Sequence, residues 1–336
     1  MKRKWLMYGL TVSICSMMWL TPATAQTASD FKLKASTAES SNSQFTITLS
    51  GEQIEDLYAY EAKLTFDPEK LELVKAETDI EGYSVSAIVT NGEITFAHTK
   101  IGKVKGEKGN LDITTLTFKA KKAGSSQVKW TGMKIVDQNL KSQTISPNLA
   151  TSFMKLFSDI SGHWAKADIM AMVDRGVVSG MSTDRFAPNN EVTRAQFAMM
   201  LAGALKLKAG SGNPFKDVKK GAWYEDAVKK AYAAGLVSGV TADSFKPEKP
   251  ISREEMAVML VRSKAYALGV KPETLKEGKL PSYSDQSSIS GWAKFSVSVA
   301  AEAKLMNGRS AALFAPKGQT TRAEAAVVLK RLLASL

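Results

Sequence analysis

One pattern occurs three times in the C-terminal half of the chain. Trp164, Trp223 and Trp292 recur at intervals of 59 and 69 residues, followed each time by a glycine (Gly180, Gly239, Gly308), a proline (Pro188, Pro247, Pro316) and an arginine (Arg194, Arg253, Arg322). Tryptophan and arginine are 30 residues apart in every copy, so the extra length lies between copies two and three, in "GVKPETLKEGKLPSYSD", a linker by composition. A unit this small cannot bury its own apolar face, so stability requires the copies to stack and share a core. Three copies with one common core point to pseudo-threefold symmetry.

Each copy reads as helix, loop, helix. In the first, "HWAKADIMAMVDRG" carries Trp164, Ile169, Met172 and Val173 on one helical face, and Gly176 is placed to end the helix in the left-handed conformation, as is Gly235 in the second. The third copy has Lys304 at that position. A polar loop with Phe-x-Pro follows, then "VTRAQF", "ISREEM" or "TTRAEA". Here Thr193 with Gln196, Ser252 with Glu255 and Thr321 with Glu324 have the spacing of capping boxes. The arginine inside each box is unexplained by capping, because a cation in the first turn faces the positive end of the helix dipole.

The rest of the chain reads differently. Lys2, Arg3 and Lys4 precede an apolar run to Leu20, and Ala23-Thr24-Ala25 follows, so residues 1–25 are expected to be a secretory leader rather than a retained anchor. Cys15 is the only cysteine, which leaves the remaining residues without thiolate chemistry, disulfides or cysteine metal sites. Net charge is +12, but residues 31–155 hold 16 Lys and no Arg against 15 acids, while residues 156–336 hold 26 Lys plus Arg against 17 acids. The basic half should prefer a polyanion, and for a secreted chain a wall polymer fits better than nucleic acid. No insertion of the mature chain into a membrane is expected.

From Phe31 to about Asp137 the pattern has period two. "QFTITLS", "LYAYEAKLTF", "LELVKAE", "SVSAIVT", "EITFAHT", "LDITTLTFKA" and "SQVKW" predict strands, and Asn91-Gly92 a two-residue hairpin turn, together an antiparallel β-sandwich. His98 and His163 have no triad or metal spacing around them, no Asp-rich loop appears, and no cofactor, metal or catalytic residue is assigned.

Two resemblances follow from these residues. "FSDISGHWAKADIMAMVDRGVVSG", "FAPNNEVTRAQFAMML" and their two later copies resemble the S-layer homology (SLH) domain, with repeats at 156–210, 213–270 and 282–336. "LYAYEAKLTFDPEKLELVKAE", "GEITFAHTKI" and "ITTLTFKAKKAG" resemble the cohesin domain, over residues 30–150. The first resemblance implies an all-α pseudo-trimer that binds pyruvylated secondary cell wall polysaccharide in grooves between repeats. The second implies a jelly-roll that binds a dockerin-bearing partner. On this reading the polysaccharide-binding residues are Arg194, Arg253 and Arg322, with Asp159, Asp217 and Asp285, Trp164, Trp223 and Trp292, and Gly180, Gly239 and Gly308. Each arginine is expected to join unpaired helix-terminal N–H groups in an anion site for a ketal carboxylate, or else only to pair with an acid of the neighbouring repeat, such as Asp159, Asp217 or Asp285. The tryptophans either stack on sugars or pack in the core. Glu254 beside Arg253 should weaken its groove, and Gln196 removes a charge from the first box. The expected protein is a non-enzymatic wall-anchored scaffold at the cell surface. The alternatives are a structural S-layer component using the sandwich for lattice contacts, and a wall-anchored enzyme with unrecognised chemistry in the sandwich.

Overall fold

The computed structural model describes residues 26–27, 30–210, 212–280 and 282–336, and the expected leader at 1–25 lies outside them. Strict alternation of buried and exposed residues builds the N-terminal part, as in β3 (Gln44–Leu57), where Phe45, Ile47, Leu49 and Gly51 turn inward and the residues between them outward. Eleven strands form two layers. One sheet has the order β1 (Phe31–Ala35), β3, β8 (Glu107–Ala120), β5 (Leu71–Glu77). The other runs β2 (Glu39–Ser40), β11 (Leu149–Lys155), β9 (Gly124–Val136), β4 (Ala59–Phe66), β7 (Glu93–Thr99), β6 (Tyr83–Thr90), with β10 (Ser142–Ile145) also pairing β9. All seven expected strand segments lie in β3 to β9, and Asn91 and Gly92 both have positive φ between β6 and β7, as a tight hairpin of this kind requires.

Two features lie beyond the antiparallel expectation. β2 pairs with β11 in parallel, and β11 closes the sandwich beyond Asp137. Phe153 of β11 stacks on Phe45 with ring centroids 3.8 Å apart, and Phe31 meets the buried Trp130 edge-on at 5.2 Å, so the first and last strands seal one core.

Among the described residues six α-helices follow: α1 (Lys166–Asp174), α2 (Arg194–Ala204), α3 (Glu225–Ala233), α4 (Arg253–Leu268), α5 (Lys294–Glu302) and α6 (Arg322–Ala334). Each repeat supplies two, and the buried apolar residues of all three belong to one continuous core. Gly176 and Gly235 follow α1 and α3 at φ of 69° and 71°, and Lys304 takes the same conformation after α5 at 54°, against a steric cost of roughly 1–2 kcal/mol. All three capping boxes form completely, with side chain to backbone bonds in both directions.

The sandwich contacts the helical part through polar groups and through Ala123 and Met154, which pack against its core. The Asp174 carboxylate accepts from Ser125 N–H and Oγ at 2.7 Å each, and the buried Lys155 ammonium donates to Asp184 at 2.8 Å. Among the described residues no helix is long and apolar enough to cross a membrane.

Candidate functional site

The three repeats join end to end in a ring. Val192 N–H donates to Thr320 O at 2.9 Å, Thr320 N–H to Ile251 O at 3.0 Å, and Ile251 N–H to Val192 O at 2.9 Å, a closed cycle in which all three residues are fully buried. The segment before each capping box therefore touches both other repeats. Satisfying these amides within the ring avoids the penalty for burying an unpaired polar group.

The boxes then lock onto the next repeat. Arg194 and Ala195 N–H donate to Lys249 and Pro247 O; Arg253 and Glu254 N–H donate to Gly318 and Pro316 O; Arg322 and Ala323 N–H donate to Asn190 and Pro188 O. The third amide of each helix donates to the cap hydroxyl. This corrects one expectation: the first-turn N–H groups are already paired across the repeat boundary, so the helix terminus offers no free amides to an anion.

The arginine side chains make the same crossing. Arg194 Nε donates to Phe245 O at 2.8 Å, Arg253 Nε to Phe314 O at 2.7 Å and Arg322 Nε to Phe186 O at 2.9 Å. Their Nη2 groups donate to Ser238, Asn307 and Ser179 O at 2.9, 2.6 and 2.6 Å. Each guanidinium also lies over the ring of that same phenylalanine, 4.5–5.1 Å from its centroid. All three arginines are no more than 5% exposed, and burial lowers their pKa values, opposed by nearby carboxylates. The cation that faces the helix dipole unfavourably is thus a clamp on the neighbouring repeat.

The alternative, pairing with an acid of the neighbouring repeat, is met at two joints, by Glu255 for Arg194 and Glu324 for Arg253, and not through Asp159, Asp217 or Asp285. Each aspartate instead braces the Phe-x-Pro loop of its own repeat: Asp159 accepts from Phe186 and Ala187 N–H, Asp217 from Phe245 and Lys246, and Asp285 from Phe314 and Ala315. The second residue of each pair has positive φ (58°, 53° and 57°), a strained conformation that the carboxylate holds in place. Burial pushes Asp217 and Asp285 up, but the loop amides outweigh it and hold both below the usual range. Aspartate and arginine therefore grip the same phenylalanine, one by its N–H and the other by its C=O.

Gly180, Gly239 and Gly308 sit beside that grip. A Cβ on Gly239 would lie 2.2 Å from Thr241 O, on Gly308 2.5 Å from Ser310 O, and on Gly180 2.4 Å from Ser182 O, so the loop closes only around glycine.

The tryptophans are not core. Trp164, Trp223 and Trp292 are 68%, 56% and 61% exposed, and Trp164 precedes α1 instead of extending its buried face. Trp164 and Trp292 each line a groove. One of about 520 Å³ is lined by Arg194, Gly239, Glu255, Arg262 and Trp292; another of about 710 Å³ by Arg253, Gly308, Arg309, Glu324, Arg331 and Trp164. Each groove thus draws its arginine, its loop and its tryptophan from three different repeats. The aspartates line neither.

Several groove residues went unassigned from the sequence. Glu255 pairs with Arg194 Nη1 at 3.4 Å, and Glu324 pairs with Arg253 Nη1 at 3.0 Å and with Arg309. Arg262 and Arg331 lie nine residues after the clamp arginine in their copies, a position held by Gly203 in the first, so aligning the copies would have found them. Glu254 is another correction. It is 2% exposed and accepts from Ser290 N–H, Ser290 Oγ and Lys317, which neutralise it against repeat three.

In the sandwich, His98 Nδ1 lies 2.9 Å from Ser84 Oγ across the β6–β7 pair, while its buried Nε2 has no partner. β6 is an edge strand with Tyr83, Val85, Ile88 and Val89 between 46% and 61% exposed.

Two modules of independent core, a β-sandwich and a ring of three clamped helix pairs, define a modular protein in which two grooves lie at joints of the ring. Family models match accordingly. The S-layer homology domain matches residues 156–198, 214–257 and 282–326, and the cohesin domain residues 29–151. The chain carries three S-layer homology domains preceded by a cohesin domain. It is 38% identical over 185 residues to an amylopullulanase of Thermoanaerobacterium thermosulfurigenes, covering 55% of this chain and 10% of that protein. It is 32% identical over 197 residues to a surface-layer 125 kDa protein of Lysinibacillus sphaericus, covering 58% and 16%. The chain thus spans a minor part of the length of these relatives. A cohesin module from a Clostridium perfringens family 33 glycoside hydrolase aligns with 37% of this chain and 94% of its own at 14% identity, with a TM-score of 0.33.

Proposed function

We propose that the three S-layer homology domains act as one pseudo-threefold anchor that holds the protein non-covalently on the secondary polysaccharide of a Gram-positive cell wall. The cohesin domain is displayed from it to receive a dockerin-bearing protein, and neither part performs catalysis. The observation that carries this is the exposure of the tryptophans, with Trp292 and Trp164 lining grooves beside the buried Arg194 and Arg253. An exposed indole rim next to a cationic floor suits a sugar chain bearing acidic groups, stacking on the ring face while charge is met below. Pyruvate ketals on the polymer would supply that charge. Arginines and tryptophans are then the contacts, and the aspartates and glycines hold the loop that shapes the groove. The S-layer proteins among the relatives favour a second reading, in which the chain is itself a lattice component.

The test is co-sedimentation of the chain from residue 26 with wall sacculi, before and after the secondary polysaccharide is stripped. The anchor reading expects binding to intact sacculi alone, and its loss in a Trp164/Trp223/Trp292→Ala variant. These side chains are exposed, so each change should leave stability within about 0.5 kcal/mol. Binding that survives stripping would overturn the reading, and sheets formed by the purified protein would favour the lattice.

A further inference from the structure

The two sheets of the sandwich have four edges, and three of them are guarded against pairing with another chain. β2 is only two residues long, β1 carries Lys32 and Lys34, and β5 carries Glu72, Lys75 and Glu77. β6, "YSVSAIVT", is the exception: an edge of eight residues without a charge, exposed at every position but Ala87. Among the described residues it pairs only with β7, so its outer row of backbone N–H and C=O groups is open.

A bulge decides what that edge can accept. Between Val85 and Ile88 β6 advances three residues while β7 advances two, from Ala97 to Thr95, so the alternation of faces is reset at Ser86 and Ala87. Tyr83, Val85, Ile88 and Thr90 therefore all lie beside outward residues of β7, whereas Ser84 and Val89 lie beside the buried His98 and Ile94. Both sets are symmetric about the midpoint of the strand. A second β6 running antiparallel across that midpoint sets Val85 against Ile88 and Tyr83 against Thr90 on one face, and Ser84 against Val89 on the other. Without the bulge the same pairing would oppose outer residues to inner ones. No like charges meet, because the strand has none.

We infer that β6 is a self-pairing edge through which two copies of this chain join as a symmetric dimer, their seven-stranded sheets continuing into one. The symmetry of the strand selects a second copy, since an unrelated strand has no need of it. Such a contact uses the same edge on both partners, so it closes at two and does not grow into a lattice. The inference stands apart from the anchor reading; where both hold, each dimer carries two rings and grips the wall bivalently.

The test is sedimentation equilibrium of the chain from residue 26, which contains no cysteine. Wild type should pass from monomer to dimer, and no further, as concentration rises through the micromolar range. Ile88→Lys, which puts a charge on the edge opposite Val85 of the other copy, should weaken the dimer by about tenfold or more. Ile88 is 61% exposed, so the melting temperature of the variant should be unchanged. A Val85→Cys/Ile88→Cys chain should oxidise to a covalent dimer, because the two positions face each other between copies yet lie about 10 Å apart within one, too far for a disulfide. Val85→Cys alone should not cross-link, since the position it faces is Ile88. A chain that is monomeric at every concentration, a dimer indifferent to Ile88→Lys, or a single-cysteine chain that cross-links as readily as the double one overturns the inference.

Discussion

The sandwich and the helical ring solve the same problem in opposite ways. In the sandwich, most paired strands are distant in sequence, as β3–β8, β4–β9 and β11–β9 show, and the core is sealed by side chains such as Trp130 and Phe153. The ring shares one core too, but its joints are polar: three buried arginines, three loop-bracing aspartates and a cycle of backbone hydrogen bonds. The polar joints at Arg194 and Arg253 each leave a concave, charged groove, and the sandwich carries a hollow of about 560 Å³ beside Asp67, Lys70 and Lys129. On the reading proposed above, binding falls to the ring and display to the sandwich.

Removing one strut from each region should break the comparison most visibly. Arg253→Ala strands the Phe314 and Asn307 carbonyls and leaves Glu324 to Arg309 alone, at a cost of about 3–5 kcal/mol, and because the joints form a cycle all three repeats should loosen together. Trp130→Ala should cost a similar 3–5 kcal/mol but spare the helices. Denaturant unfolding followed by circular dichroism at 222 nm for Arg253→Ala, and by near-ultraviolet signals of the sandwich for Trp130→Ala, checks both. The same figures warn that alanine at the clamp arginines probes folding before binding.

Acid should separate the regions by order of failure. Burial holds the His98 pKa below its usual value, so the unfolded chain binds the extra proton first and the sandwich loses stability as pH falls below about 6.5. Asp217, Asp285 and Glu255 are held low when folded, so their contribution to the ring is complete above about pH 4.5 and is lost only as pH drops through their folded values. Urea midpoints at pH 7, 5.5 and 4 should therefore fall first for Trp130 fluorescence and later for the helical signal; the reverse order would contradict this assignment.

The smallest effect lies at the axis. Thr320 is fully buried and its hydroxyl has no partner, while Val192 and Ile251 hold the matching positions. Thr320→Val should raise the melting temperature, by roughly 1 kcal/mol of stability.

The sequence disclosed much of this architecture because repeats and alternation are local signals. The three boxes, the left-handed Gly176 and Gly235, the Asn91-Gly92 turn and seven strands are all legible from spacing. Legibility ended where a partner lay in another repeat. Nothing near Arg194 in the chain indicates that its guanidinium reaches Phe245, or that its backbone amide is paired to Lys249. Trp164 fitted a helical period yet stands in solvent, because its exposure is set by a groove that two other repeats complete. β11 was missed for a similar reason, since "LATSFMK" alternates weakly and is fixed by its pairing with β9.

The account's central claim is that the ring holds the wall and leaves the sandwich free. Hydrogen exchange of the chain from residue 26, with and without soluble secondary wall polysaccharide, tests it in one measurement. The account predicts added protection in the groove loops around 179–181, 238–240 and 307–309, with β1 to β11 unchanged. Protection appearing on the sandwich, or nowhere in the ring, would contradict it.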